Sequence, residues 1–146
     1  MRPDLATIEV LLVEDDPGDV AITREAFEEN KVQNRLHVVN NGVDAMAFLR
    51  KEGRFADAPT PDLVMLDLNL PRMDGREVLA AVKADESLRS IPVVVLTTSE
   101  LAEDVTTSYS LHANAYVTKP VDFERFIAVV RQIDHFFVSV VRLPGR

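Results

Sequence analysis

The sequence predicts an α/β fold, a doubly wound parallel sheet of five strands with helices on both faces, and three observations carry that prediction. Apolar runs recur at fairly even spacing: IEVLLV (8–13), RLHVV (35–39), DLVMLD (62–67), PVVVLT (92–97) and NAYVT (114–118). Between consecutive runs lie stretches long enough for helices. The runs are apolar throughout instead of at every second position, which marks strands covered on both faces and therefore parallel.

The elements follow in order. The first run ends in Glu14-Asp15-Asp16, and Pro17 suits the first turn of a helix over about 17–30, where its missing N–H costs nothing. After the second run, Asn40 or Asn41 can cap a helix running to about 51. EGRFADAPTP (52–61) is a Gly- and Pro-punctuated loop. Asp74 can cap a helix to about 84, and two further helices fit about 101–111 and 122–141. A single domain is expected over 1–146, with a core of about 6–141, a short tail at 142–146 and no output domain.

Composition narrows the functional classes. In 146 residues, a hydrophobic content of 47% is enough to bury a core. The absence of cysteine excludes disulfides and thiolate zinc sites and fits a reducing cytoplasm. A net charge of −8 argues against direct nucleic-acid binding, which relies on Lys and Arg neutralising phosphates. No apolar run approaches the ~20 residues of a membrane-spanning helix. The N-terminus, MRPDLATIEVLLVEDD, is broken by Glu9 and ends in three acids, unlike a signal peptide.

In open parallel sheets, sites form beyond the carboxyl ends of the strands. Those ends carry Glu14-Asp15-Asp16, Asp67, Thr97-Thr98 and Thr118-Lys119-Pro120. Carboxylates from two neighbouring strand ends repel, each pair by roughly 4 kcal/mol at about 4 Å with an effective dielectric near 20. An all-oxygen set without His or Cys suits a hard divalent cation such as Mg²⁺. An aspartate can also attack phosphorus and form an acyl phosphate when a metal and a cation offset the incoming charge. Lys119 is the available cation, and Thr97 offers a hydroxyl.

LLVEDD, MLDLNLPRMDG, VVVLTTS and AYVTKP, in this order and strand phase, resemble the receiver domains of two-component response regulators over nearly the whole chain. The resemblance implies a flavodoxin-like (βα)5 receiver fold in which Asp67 accepts phosphate from a sensor histidine kinase. It implies that Glu14, Asp15 and Asp67 hold Mg²⁺ with the backbone carbonyl of Asn69, and that Thr97 and Lys119 contact the phosphoryl group. It gives Tyr116 the place of the switch aromatic, turning inward when Thr97 moves, and a Lys119-Pro120 bond that is often cis. Two frames exist for the acidic pair. Glu14-Asp15 follows the apolar run directly and is preferred, with Asp15 as direct ligand and Glu14 acting through water; Asp15-Asp16 is the other.

Signal output is expected from the surface of the fourth helix, fifth strand and fifth helix. Phe123, Phe126, Ile127, Val130, Ile133 and Phe137 form one core-facing helical stripe, whereas Val129, Phe136, Val140 and Val141 fall off it. That surplus apolar surface predicts a homodimer through the last helix and this surface. EDDPGDV (14–20), the 52–61 loop and the RLPGR ending further resemble single-domain receivers that serve phytochrome-type light-sensing kinases.

Other readings of the site are a phosphorelay intermediate or phosphate sink, a haloacid dehalogenase-type phosphatase and a flavin carrier. The phosphatase wants an acid two residues past the nucleophile, where Asn69 stands, and the flavin carrier wants a phosphate loop where Glu14-Asp15-Asp16 would repel the ligand. The resemblance to receivers implies a switch with slow Mg²⁺-dependent autodephosphorylation at most, not conventional enzymatic turnover.

Overall fold

The computed structural model describes residues 8–28, 34–97, 115–119 and 123–134. Strands β1 (Ile8–Val13), β2 (Asn34–Val39), β3 (Leu63–Leu66), β4 (Val93–Thr97) and β5 (Ala115–Thr118) form one sheet in the order β2-β1-β3-β4-β5. Every neighbouring pair is parallel. Helices α1 (Pro17–Glu28), α2 (Gly42–Arg50) and α3 (Gly75–Ala84) intervene, and a further helix spans Phe123–Asp134.

The pleat divides the apolar runs between two cores. Leu11, Val13, Val64, Leu66, Val93 and Val95 pack with residues of α2 and α3 on one face. Val10, Leu12, Leu63, Met65, Val94 and Leu96 pack with Ala26 and Phe27 of α1 and Val130 of the Phe123–Asp134 helix on the other. Each fully buried Val or Leu contributes about 1.5–3 kcal/mol. The doubly wound class expected from unbroken apolar strands is the architecture found.

Local chemistry sets the boundaries. Pro17 opens α1, and the Asp16 carboxylate caps it by accepting the Gly18 N–H at 2.8 Å. Asn41, not Asn40, caps α2, its side-chain oxygen accepting the Asp44 N–H at 2.8 Å. Asp74 caps α3 through the Arg76 N–H at 2.7 Å. The third strand is one residue shorter at each end than the predicted 62–67 run, with Asp62 and Asp67 flanking it; Asp62 donates its N–H to Glu9 O at 2.7 Å and its carboxylate accepts the Glu9 N–H at 2.8 Å.

The 52–61 loop is more ordered than its composition suggests. A 3₁₀ turn spans Gly53–Phe55, the Phe55 ring packs 5.5 Å from that of Phe48, and the Arg54 guanidinium stands 4.6 Å over Phe55. The helix predicted at about 101–111, positions 135–141 of the last predicted helix and the Lys119-Pro120 bond lie outside the described residues. Within the described part of that helix, Val130 is buried and Ile127 half-buried. Val129, off the stripe by sequence, is half-buried against the same core, so it is shared between the core and the flank.

Strand register builds the rim. Val13 is level with Val39 on one side and Leu66 on the other. The next residues, Glu14 and Asp67, therefore leave adjacent strands at one height, about 4.8 Å apart across the ladder. Thr97 is paired with Thr118, which sets Lys119 just above the same edge.

Candidate functional site

Asp67 is fixed from both sides. Its N–H donates to Val13 O at 3.0 Å, and its Oδ1 accepts the Asn69 N–H at 3.3 Å. The loop then closes tightly, with the Gly75 N–H donating to Leu68 O at 2.9 Å. A Cβ at Gly75 would lie 2.2 Å from Asp67 O, so glycine is required there for close approach. Asp67 is 8% exposed, open enough at the rim to meet a small group.

Glu14 is buried, its N–H donating to Val39 O at 3.0 Å and its Oε2 accepting the Asp16 N–H at 3.1 Å. Asp15 is exposed, and its carboxylate lies with those of Glu14 and Asp67 so that one oxygen from each falls within 4.8 Å of the others. These hard oxygens fit a divalent cation of the Mg²⁺ type. Asp16 is committed to the α1 cap, which favours the Glu14-Asp15 frame.

Lys119 is buried and donates to three carboxylates: Glu14 Oε1 in a close ion pair, Asp19 Oδ2 at 2.8 Å and Asp67 Oδ2 at 3.4 Å. Burial alone works against the ammonium, but the hydrogen bonds to Asp19 and Glu14 and the charges of Asp67 and Glu14 outweigh it, so its pKa is raised. Burial pushes the Glu14 carboxyl up to about 7, against the pull of Lys119 and with the push of Asp67's charge. Lys119 thus stays cationic at neutral pH.

Of the predicted site residues, Glu14, Asp15, Asp67 and Lys119 come together. Asn69 is exposed in the loop beyond Asp67, and its backbone N–H donates to Asp67 Oδ1 at 3.3 Å. Thr97 ends β4 at the rim, and its side chain lies outside the described part. Tyr116 is half-buried against the α2/α3-side core, level with Val95. Phe136 and Val140 lie outside the described residues.

Sequence reasoning missed Asp19. An acid in the first turn of a helix reads as a complement to the helix dipole, and nothing local shows that it faces a lysine 100 residues away. The available signal was spacing: Asp19 follows Asp15 by four residues and returns to the same rim.

A carboxylate held at a strand end beside two further acids and a buried ammonium can accept a phosphoryl group. Fold and site together define a receiver, and the family model for the response regulator receiver domain matches residues 10–131. The chain belongs to that family and is a protein of two-component signalling. The response regulator Rcp1 of Synechocystis sp. is 43% identical over 136 residues, 93% of this chain and 92% of Rcp1. Among solved structures, the phosphorylated cyanobacterial phytochrome response regulator RcpA matches with a TM-score of 0.94 at 44% identity, covering 96% of this chain and 100% of that one. The Mn²⁺-bound form of Rcp1 matches with a TM-score of 0.93 at 42% identity, covering 94% and 99%. No helix among the described residues is long and apolar enough to cross a membrane.

Proposed function

We propose that this chain is a response regulator whose Asp67 accepts a phosphoryl group from a sensor histidine kinase in a Mg²⁺-dependent reaction. In that step an Asp67 oxygen forms a bond to phosphorus as the bond from phosphorus to the kinase histidine nitrogen breaks, and the electron pair leaves with that nitrogen. The observation that supports it most is the placing of Asp67, 8% exposed, with Lys119 Nζ 3.4 Å away and the Glu14 and Asp15 oxygens within 4.8 Å.

Mg²⁺, when bound, supplies positive charge to the phosphoryl oxygens. Asp15 and Asp67 would hold it directly, Glu14 through water, and Asn69 through its backbone carbonyl. The all-oxygen donor set and the Mn²⁺-bound form of Rcp1 support a divalent ion here. The Asn69 N–H, already on Asp67 Oδ1, steadies the acceptor, and Lys119 and the Thr97 hydroxyl receive the phosphoryl oxygens.

Phosphorylation adds about two negative charges at the rim. Thr97 and Tyr116 would then rearrange and bias the surface of β5 and its flanking helices, and a shift from 1:99 to 99:1 takes about 5.5 kcal/mol of differential stabilisation. The phytochrome assignments of RcpA and other neighbours support a phytochrome-type kinase as the phosphate source. The chain works as one cytoplasmic receiver unit and dimerises through Val129, Phe136 and Val140, without contacting nucleic acid. Slow autodephosphorylation resets it. The deciding test is intact mass after incubation with Mg²⁺ and a small acyl phosphate: wild type should gain one labile phosphate and Asp67→Asn none, and equal labelling would discard the assignment.

A further inference from the structure

Asp19 lies outside the metal-binding group of Glu14, Asp15 and Asp67, yet it makes a well-formed contact with the cation of the site. An ammonium has three protons to donate. In the resting protein all three are directed at carboxylates: Glu14 closely, Asp19 at 2.8 Å, and the acceptor Asp67 at the longer distance of 3.4 Å. Lys119 is therefore held mainly by the two acids on the β1–α1 side and only loosely by the residue it is meant to serve.

The placing of Asp19 is not an accident of a loose side chain. The Asp16 carboxylate accepts the Gly18 N–H at 2.8 Å and the Asp19 N–H at 3.4 Å. The buried Thr23 hydroxyl donates to Asp19 O at 2.8 Å. The first turn of α1 is thus pinned at both ends, and it aims Asp19 at Lys119.

We propose that Asp19 is a positioning residue that competes with the phosphoryl group for the Lys119 ammonium, and so sets how readily Asp67 is phosphorylated. The inference rests on the reading of Asp67 as acceptor. A phosphoryl group brings about two negative charges to a site where Lys119 has no uncommitted proton. Contact with it requires Lys119 to release a carboxylate. Glu14 is the buried partner in close contact, and Asp67 is the acceptor itself. Asp19 is the more exposed partner on a neighbouring helix, with 21% of its side chain open to water that can replace the lost contact. Its charge also repels the incoming group, so the resting site is biased against phosphorylation until Lys119 changes partner.

The test uses the full chain with Mg²⁺ and acetyl phosphate, in which the Asp67 oxygen–phosphorus bond forms as the phosphorus–acetate bond breaks and acetate leaves with the electron pair. Phosphorylated fraction is read by intact mass across a donor titration for wild type, Asp19→Asn and Asp19→Glu, with Asp67→Asn as the blank. Asp19→Asn should lower the half-saturating donor concentration roughly fivefold or more, because a screened carboxylate at contact distance is removed. Asp19→Glu, which restores the charge, should return it toward wild type, a rescue that a helix-stabilising role would not give through a donor titration. Should Asp19→Asn fail to fold, Asp19→Ser carries the same comparison. An unchanged or raised half-saturation in the neutral variants overturns the proposal, as does a Glu variant that behaves like Asn. If wild type labels at Asp67 and Asp19→Asn tracks it, this inference alone falls; if wild type gains no more phosphate than Asp67→Asn, the proposed function falls with it.

Discussion

The backbone carbonyl of Asp67 occupies the space that a side chain on Gly75 would need, the Cβ position lying 2.2 Å from it and 2.7 Å from Leu68 Cα. The end of β3 and the start of α3 are thus packed backbone to backbone, and the loop from 67 to 75 has no slack. Gly75→Ala should destabilise the protein by about 3 kcal/mol, the upper range for forcing a methyl into a packed interior. Because the displaced atoms belong to the acceptor residue, phosphorylation by a small donor should fall as well. Urea unfolding and intact mass check the two effects, and a variant with wild-type stability would contradict the contact.

The acidic pair has a direct thermal test. Ligand that binds only the folded state stabilises it by about 2.7 kcal/mol at 100 times its Kd, which raises the melting temperature by several degrees for a domain of this size. Saturating Mg²⁺ should give such a rise in wild type and little in Asp15→Asn or Asp67→Asn. Asp16→Asn should retain the full rise, since Asp16 caps α1 and asparagine caps as well. A lost response in Asp16→Asn alone would move the metal to the Asp15-Asp16 frame.

Much of this arrangement was legible beforehand, for identifiable reasons. A parallel strand buried on both faces has to be apolar along its length, so IEVLLV could be bounded at Ile8 and Val13 from composition alone. Strand ends in such a sheet share one rim, which is why Glu14, Asp15, Asp67 and Lys119 could be brought together before any coordinates. Asp19 was signalled only by its spacing from Asp15, because its partner lies 100 residues away and its local role as a first-turn acid was already sufficient. The Gly53–Phe55 turn was hidden likewise: its stability comes from Phe55 packing on Phe48, a contact with α2 that a Gly- and Pro-rich composition does not announce.

The proposed dimer rests on the apolar surplus that the sequence carries in HFFVSVV (135–141). Val129, half-buried against the core, has only part of its surface left for a partner. Phe136 is therefore the position whose change should matter most, since an aromatic in an apolar interface buries 150–250 Å² or roughly that scale of area. Light scattering should give a dimer mass for wild type and a monomer mass for Phe136→Asp. An unchanged mass for a folded variant rejects this interface.

Without metal, the site should make stability depend on pH in a direction fixed by Glu14. Its carboxyl rises from an ordinary 4.5 in the unfolded chain to about 7 in the folded one, chiefly through burial. Between these values the folded state binds the proton more tightly, so this group's contribution is greatest below about 4.5 and declines as pH climbs through 7. Lys119, raised above 10.5, keeps its contribution across that window and loses it only in strong alkali. The Glu14 effect amounts to at most about 3 kcal/mol for a shift of this size. Urea midpoints of wild type and Glu14→Gln in EDTA between pH 5 and 8 isolate it, because the variant shares every other titrating group. Wild type should lose more stability than Glu14→Gln as pH rises, and parallel curves would mean that Lys119 holds Glu14 ionised throughout.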